Sequence, residues 1–187
     1  MEYKERQYPS FSACGLNCGL CPRYYTAEAS RCSGCAGKGF LEKHPTCGIL
    51  SCCQRRGIEY CCLCEEYPCK KYDGADLTDS FITHRNQLKD FDKAKNIGLE
   101  AYITELNSKM KLLEQLLNNF DDGRKKSLFC TAVNLLELED IKFVIERIHA
   151  ETNADTPIRE KSAIASRLIQ AVAEQRDVSL QLRKKTK

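Results

Sequence analysis

The sequence predicts a mainly α-helical protein in which a small, loop-rich, cysteine-rich unit is followed by a helical bundle. The first observation is the placement of cysteine, because all but Cys130 of the 13 cysteines in 187 residues lie between Cys14 and Cys69. The second is a change of pattern from Asp76 onward, where glycine and proline become rare and apolar residues take helical spacing. The two parts of the chain therefore differ in structural class.

This change of pattern predicts two domains, a cysteine-rich metal-binding unit at residues 13–74 and a helical domain at residues 75–187. A short segment rich in cysteine, glycine and proline buries little apolar surface, so it depends on metal cross-links for stability. Within it, short helices are predicted after Pro22 and over residues 47–56, with Gly57 as the stop signal.

Five helices are predicted in the helical domain, and the second of them has the clearest pattern. The first extends from Asp76 or Thr78 to Gly98. The second covers residues 99–120, because its apolar residues recur in steps of four and three and form an a/d seam. The residues of this seam are Leu99, Ile103, Leu106, Met110, Leu113, Leu117 and Phe120.

Three more helices and a short strand are predicted in the rest of the chain. Apolar residues at helical spacing predict helices over residues 124–138 and 139–151, and a further one that begins at Pro157 with Thr156 as its cap. The stretch 176–183 then alternates apolar and polar residues, which predicts a short C-terminal strand.

The spacing of the cysteines predicts a metal centre. Three pairs follow the C-x-x-C pattern, in which a tight turn brings two sulfurs onto one ion: Cys18/Cys21, Cys32/Cys35 and Cys61/Cys64. Two further spaced pairs, "CGILSC" and "CEEYPC", add Cys47, Cys52 and Cys69. One such pair is weak evidence, but several within one short segment are strong evidence for metal binding.

The ordered motifs "CGLNCGLCPRYY", "CSGC", "CGILSC" and "YCCLCEEYPC" resemble the bacterial and archaeal cysteine-rich family catalogued as domain of unknown function 3795. The resemblance extends over about residues 13–105, and it implies metal binding without any assigned activity. Cys53 and Cys62 are extra neighbours of the family's cysteines. The metal ligands that the resemblance implies are Cys14, Cys18, Cys21, Cys32, Cys35, Cys47, Cys52, Cys61, Cys64 and Cys69.

Two kinds of metal centre fit this ligand type. Four thiolates in a tetrahedron suit Zn²⁺, and the number of candidate ligands favours two zinc ions. A 4Fe-4S cluster also takes four cysteine thiolates and is the alternative. The C-x3-C-x2-C spacing from Cys14 to Cys21, with Pro22 directly after it, favours iron modestly.

The favoured pairing assigns four cysteines to each ion. One set is Cys18, Cys21, Cys32 and Cys35, and the other is Cys47, Cys52, Cys61 and Cys64. Cys14 and Cys69 would then be spare or would replace a member of a set. His44 could also replace a thiolate, although an exposed loop histidine is the interpretation we favour.

Charge and hydropathy exclude several classes of protein. The net charge of +3 gives no basic face for nucleic acid. No apolar run is long enough to cross a bilayer, and charged residues occupy the N-terminus where a signal peptide would be apolar. The sequence therefore predicts a cytoplasmic protein with reduced thiols, and a secreted disulfide scaffold is the alternative.

Three functions are compatible with these observations. We favour a non-catalytic binding or scaffold protein with structural zinc sites, because four thiolates leave no open position on the ion and no catalytic motif is present. An iron–sulfur protein in electron transfer or redox sensing is one alternative, and thiol-based metal storage or sensing is another. The expected partner is a protein; a homodimer through residues 99–120 is an alternative to packing of that helix within the chain. Cys130 is expected to be a buried free cysteine.

Overall fold

The computed structural model describes residues 4–184. Within that range the chain forms seven α-helices and several short 3-10 segments, and it forms no β-strand. The predicted fold class, mainly α with a loop-rich N-terminal region before a helical bundle, is confirmed. The helices are α1 (Phe40–Lys43), α2 (Gly48–Arg55), α3 (Gln87–Ile97), α4 (Leu99–Phe120), α5 (Lys126–Leu135), α6 (Leu138–Glu151) and α7 (Ile158–Gln175).

The predicted long helix coincides with α4, from Leu99 to Phe120. Its buried stripe follows the predicted seam in part and also includes Leu116, which is fully buried. The buried members of the seam are Ile103, Leu106, Leu113 and Phe120. Packing within one chain thus occupies part of the seam, and a homodimer through residues 99–120 stays a prediction.

The predicted helix from Asp76 or Thr78 is wrong in its first half, because α3 begins only at Gln87. The preceding segment is a loop held by a carboxylate. Asp79 Oδ1 accepts a hydrogen bond from the backbone N–H of His84 at 2.8 Å, five residues later. An acidic side chain that binds the backbone in this way stabilises a loop instead of a helix start.

The predicted C-terminal strand over residues 176–183 is also wrong. After α7 the chain turns, and the backbone N–H of Val178 donates to the carbonyl of Ala173 at 2.8 Å. Further on, Asp79 N–H donates to the carbonyl of Arg183 at 2.9 Å. Asp79 lies in a loop, and a strand needs a neighbouring strand to pair with along its length. Residues 176–183 have no such neighbour among the described residues.

The start of α7 differs from the prediction by one position. Pro157 is the N-cap and Ile158 is the first helical residue. The hydroxyl of Thr156, which the sequence predicted as the cap, donates to Asn153 Oδ1 at 3.1 Å. Thr156 thus stabilises the turn before the helix.

The described chain divides into two compact units, one of residues 4–103 with 183–184 and the other of Thr104–Leu182. These units do not coincide with the predicted domains 13–74 and 75–187, because α3 belongs to the first unit. Whether residues 13–74 fold as a separate domain stays a prediction. The last three residues of the predicted helical domain, 185–187, lie outside the described residues.

The core of the first unit explains why α3 belongs to it. Phe11, which is fully buried, lies with its ring centroid 5.6 Å from that of Phe91 on α3 and 4.7 Å from that of Tyr102 on α4. On another side the ring of Tyr60 lies 5.3 Å away. The cysteine-rich segment is therefore built around an aromatic cluster to which the first helices contribute.

The second unit is a helical bundle with an ordinary apolar core. Helices α5 and α6 both pack against α7. Its fully buried large side chains include Phe129, Ile141, Ile148 and Ile169. Cys130 on α5 is buried with 1% of its surface exposed, as expected of a core cysteine.

Candidate metal centre

Two of the three C-x-x-C pairs have the same backbone conformation. In each pair the N–H of the second cysteine donates to the carbonyl of the first, at 3.1 Å for Cys21 to Cys18 and at 3.0 Å for Cys64 to Cys61. The φ and ψ angles of the second cysteine are −79° and 137° in Cys21, and −80° and 138° in Cys64. The chain thus presents two pairs of thiols on the same 3-10 turn.

The likeness extends to the next turn of the chain. The N–H of Tyr24 donates to the carbonyl of Cys21 at 2.9 Å, and the N–H of Tyr67 donates to the carbonyl of Cys64 at 3.1 Å. Both segments read C-x-L-C-x-x-Y, from residue 18 and from residue 61. This short repeat is visible in the sequence, although C-x-x-C spacing alone does not reveal it.

The third pair, Cys32/Cys35, lies in a loop held on both sides. The N–H of Cys32 donates to the carbonyl of Arg23, and the N–H of Cys35 donates to the carbonyl of Pro9 at 2.8 Å. Between them Gly34 has φ of +84°, and a Cβ there would lie 2.3 Å from the carbonyl oxygen of Pro9. Only glycine allows this close approach of the two segments.

Five thiols form what we call the first cysteine cluster. Burial raises the pKa of Cys18 well above its ordinary value, and four other thiols lie near enough for their charges to raise it further. The members of the first cysteine cluster are Cys14, Cys18, Cys21, Cys32 and Cys35. Cys47 lies at its edge, since its charge raises the pKa of Cys14 and Cys35.

Burial dominates the electrostatics of this cluster. It raises the pKa of Cys14 to about 11, although the side chain of Ser12 and the N–H of Leu16 both hydrogen-bond to it and lower the value. The Oγ of Ser12 lies 3.0 Å from the Sγ of Cys14. Without a cation the thiols of Cys14 and Cys18, whose pKa values burial raises, are protonated at neutral pH. A bound metal ion would deprotonate its thiol ligands.

Four other thiols form the second cysteine cluster, which is Cys53, Cys61, Cys64 and Cys69. Burial raises the pKa of Cys61, and the charges of Cys69 and Cys64 raise it further, while the Tyr72 hydroxyl hydrogen-bonds to it and lowers it. Burial also raises the pKa of Cys53 to about 12, and the charge of Cys61 makes the next largest contribution to that rise. Cys53 was outside the predicted ligand set.

Each cluster has an arginine beside it, and sequence reasoning missed both. Nη1 of Arg56 lies 3.3 Å from Sγ of Cys64, and its Nη2 donates to Glu66 at 2.8 Å. Arg6 lies beside Cys35, where its charge opposes the rise in pKa caused by burial. The short separation of Arg56 from Cys64 could have indicated the first contact, but no sequence pattern links Arg6 with Cys35.

Within residues 4–184 no group of three or more His, Cys, Asp or Glu side chains stands in positions that would hold a metal ion. The thiols are neighbours without forming a finished coordination shell. Their chemistry nevertheless fits a soft metal ion, because the donors are thiols in a desolvated region. Nη2 of Arg6, buried beside them without a hydrogen-bond partner among the described residues, also fits a group that brings negative charge.

One of the two predicted sets of four cysteines lies within a single cysteine cluster, and the other set does not. Cys18, Cys21, Cys32 and Cys35 all belong to the first cysteine cluster. In the other predicted set, Cys47 lies near Cys14 and Cys35, whereas Cys61 has Cys64 and Cys69 as neighbours. Both the ligand set and its pairing stay predictions.

His44 is exposed and is engaged elsewhere. Its Nδ1 lies 2.8 Å from the carbonyl oxygen of Pro45, and its ring stacks on Phe40 at 4.7 Å. This placement agrees with the interpretation of His44 as a loop histidine.

The fold and the site define a cysteine-rich, mainly helical protein. Residues 10–74 match the family model described as "Protein of unknown function (DUF3795)", which supports the resemblance of the cysteine-rich segment to that family. The match ends well before residue 105, to which the resemblance had been extended, and it leaves out Arg6. Neither the curated proteins nor the solved structures contain a match to this chain. None of the helices in the described residues combines the length and the apolar character needed to cross a membrane.

Proposed function

We propose that the chain is a non-catalytic metal-binding protein whose first cysteine cluster holds a structural Zn²⁺ ion. The observation that carries this proposal is the surrounding of Cys18, a desolvated thiol whose four electrostatic neighbours are all cysteines. Neighbouring thiolates repel each other, and a divalent cation among them turns that repulsion into attraction. A site of this kind contributes folding free energy to a unit with a small apolar core.

The chain's own residues would prepare the cluster for an ion. The 3-10 turn from Cys18 to Cys21 sets two thiols side by side, and the loop around Gly34 brings Cys32 and Cys35 towards them. When bound, Zn²⁺ would supply the positive charge that keeps the thiols deprotonated. Four thiolates close the coordination sphere to water and substrate, so the proposed role of this site is structural.

The second cysteine cluster favours a second function, reversible metal binding. Leu20 and Leu63 occupy the same position in the two C-x-L-C turns, but Leu20 is 0% exposed and Leu63 is 61% exposed. The second turn is therefore open to solvent where the first is closed. Arg56 beside it is also 44% exposed. An ion held there would exchange more readily, as metal storage or sensing requires.

Elemental analysis with a visible spectrum, on protein purified without oxygen, tests the proposal. Zinc near two ions per chain without colour would support it. Iron with matching acid-labile sulfide and a broad visible band would replace it with the iron–sulfur alternative. A chain that binds neither metal, even after reconstitution with Zn²⁺ under reducing conditions, would contradict both.

The expected partner is another protein. On the helical unit, Phe143 of α6 has 53% of its surface exposed. Aromatic side chains are enriched at protein interfaces, so Phe143 is a candidate contact residue for that partner.

A further inference from the structure

Arg6 is a buried cation in the first unit, with 3% of its side chain exposed. Three contacts hold it in place. Its Nε donates to Glu59 Oε1 at 2.9 Å, and its Nη1 donates to the carbonyl of Phe11 at 2.7 Å. The guanidinium carbon lies 4.6 Å from the centre of the Tyr60 ring. These contacts fix the plane of the guanidinium, but none of them provides an acceptor for the Nη2 group.

Nη2 of Arg6 is buried and has no hydrogen-bond partner among the described residues. A buried N–H group of a cation without an acceptor is costly, so proteins seldom leave one. Two groups beside Arg6 can accept a hydrogen bond from it: the Cys35 thiol and the Tyr60 hydroxyl, which is also buried without a partner among the described residues. The Arg6 N–H donates to the carbonyl of Ala36 at 3.3 Å, which places the residue alongside Cys35. Cys35 is also the thiol of the first cysteine cluster on which the charge of Arg6 acts.

A neutral thiol is a weak acceptor, whereas a metal-bound thiolate is a good one for a charged donor. Four thiolates around a divalent ion also carry an excess of negative charge, and its burial needs compensation. The cation beside Cys35 can provide both the donor and the charge. Arg6 precedes the segment that matches the family model, so this role is not part of that match.

We infer that Arg6 is a positioning residue of the first cysteine cluster, whose Nη2 donates a hydrogen bond to the Cys35 thiolate when a metal ion is bound. The inference rests on the proposed function of that cluster. It assigns Arg6 to the metal-loaded state, in which the Nη2 group gains its acceptor. The competing explanation is that Arg6 only fastens the N-terminal segment to Glu59.

The experiment measures the zinc affinity of the full chain by competition with a chromophoric chelator. Arg6→Met keeps much of the side-chain volume and removes the donor and the charge. We expect it to weaken binding of one zinc ion by about 10- to 100-fold, as loss of an outer hydrogen bond to a metal ligand does. Glu59→Gln is the matched control, because it removes the ion pair and keeps Arg6. We expect it to weaken zinc binding less than Arg6→Met does, because the glutamine side-chain oxygen can still accept the hydrogen bond from Arg6 Nε.

Cobalt substitution provides a second measurement, the thiolate-to-cobalt charge-transfer band. This band would not change if Arg6 only anchored the N-terminal segment through Glu59. A hydrogen bond to a thiolate stabilises its lone pairs, so losing it should shift the thiolate-to-cobalt charge-transfer band to longer wavelength. We expect the shift in Arg6→Met and in Arg6→Lys, since lysine keeps the charge without the planar fork of donors. We expect no shift in Glu59→Gln. Should Arg6→Met fail to fold, Arg6→Lys decides the question.

The outcomes separate this inference from the proposed function. Zinc binding by the wild type with equal affinity and an equal cobalt band in both Arg6 variants would overturn the inference alone. Equal losses of zinc affinity in Arg6→Met and Glu59→Gln, without a shift of the cobalt band, would show that Arg6 only anchors the N-terminal segment. That result would also overturn the inference. A wild type that binds neither Zn²⁺ nor Co²⁺ would overturn the proposed function together with it.

Discussion

Asp79 and Arg183, 104 residues apart in the chain, are joined by two backbone-directed hydrogen bonds. The N–H of Asp79 donates to the carbonyl of Arg183 at 2.9 Å, and the N–H of Arg183 donates to Asp79 Oδ2 at 2.8 Å. The other carboxylate oxygen accepts the N–H of His84 at 2.8 Å. One buried carboxylate thus holds both the loop before α3 and the C-terminal segment within the first unit.

The stability of the first unit should therefore fall in acid. Burial raises the pKa of Asp79, but the hydrogen bonds from the N–H groups of Arg183 and His84 outweigh it, and the pKa lies below its ordinary value of 3.8. The stabilisation is complete above pH 3.8 and is lost as the pH falls through the lower folded-state pKa. We expect Asp79→Asn to cost about 1–3 kcal/mol at pH 7, because the amide leaves a buried N–H group unpaired.

Thermal melts of wild type and Asp79→Asn between pH 2 and 6 measure this effect. The difference between the two proteins should shrink below about pH 4, where the wild-type carboxylate is protonated. Asp73→Asn, a change on an exposed residue of the same unit, is the control. A constant difference across the whole range would show that the carboxylate charge of Asp79 is not what stabilises the fold.

The proposed zinc site predicts opposite results for two cysteines. Cys18→Ser should release one ion per chain and destabilise the first unit, because loss of a ligand removes folding free energy. Cys130→Ser, on α5 in the second unit, should keep the full metal content. Metal analysis and thermal melting check both. A Cys18→Ser protein with unchanged metal and melting temperature would remove Cys18 from the ligand set.

The two C-x-L-C turns allow a matched comparison of their leucines. Leu20→Ala should cost about 2–5 kcal/mol, because it leaves a cavity at a fully buried position. Leu63→Ala should change stability by no more than about 0.5 kcal/mol, because that side chain is 61% exposed. Denaturant unfolding of the zinc-loaded protein measures both. Equal costs would contradict the closed and open descriptions of the two turns.

The close approach of Gly34 to Pro9, in the loop of Cys32 and Cys35, predicts that this position requires glycine. Gly34→Ala should destabilise the first unit strongly and weaken zinc binding, since its Cβ would lie 2.3 Å from the Pro9 carbonyl oxygen. Gly57→Ala is the control, because Gly57 also has a positive φ, +66°, but an added Cβ would have no atom within 4 Å among the described residues other than Gly57 itself and its two chain neighbours. Its cost should be about 1–2 kcal/mol, from backbone strain alone. Similar melting and similar zinc content in both variants would show that the close approach at Gly34 is unimportant.

The helices that sequence predicted correctly are those with a complete local pattern. α4 carries its apolar repeat over its whole length, and α2 ends before Gly57 as the stop signal indicated. The start of α3 was mispredicted because Asp76 and Thr78 looked like helix caps, whereas the adjacent Asp79 stabilises a loop. Its side chain instead binds Arg183, a residue that no local pattern connects with it.

The sequence by itself determined the class of the protein, the helix of the a/d seam and the identity of the thiol-rich segment. These properties depend on composition and on spacings of a few residues, which act locally. The tertiary structure decided which cysteines are neighbours, that the turn at Leu20 is closed while that at Leu63 is open, and that Arg6 lies beside Cys35. Those relationships join residues far apart in the chain, so they depend on how the backbone folds back around Phe11 and on no local pattern.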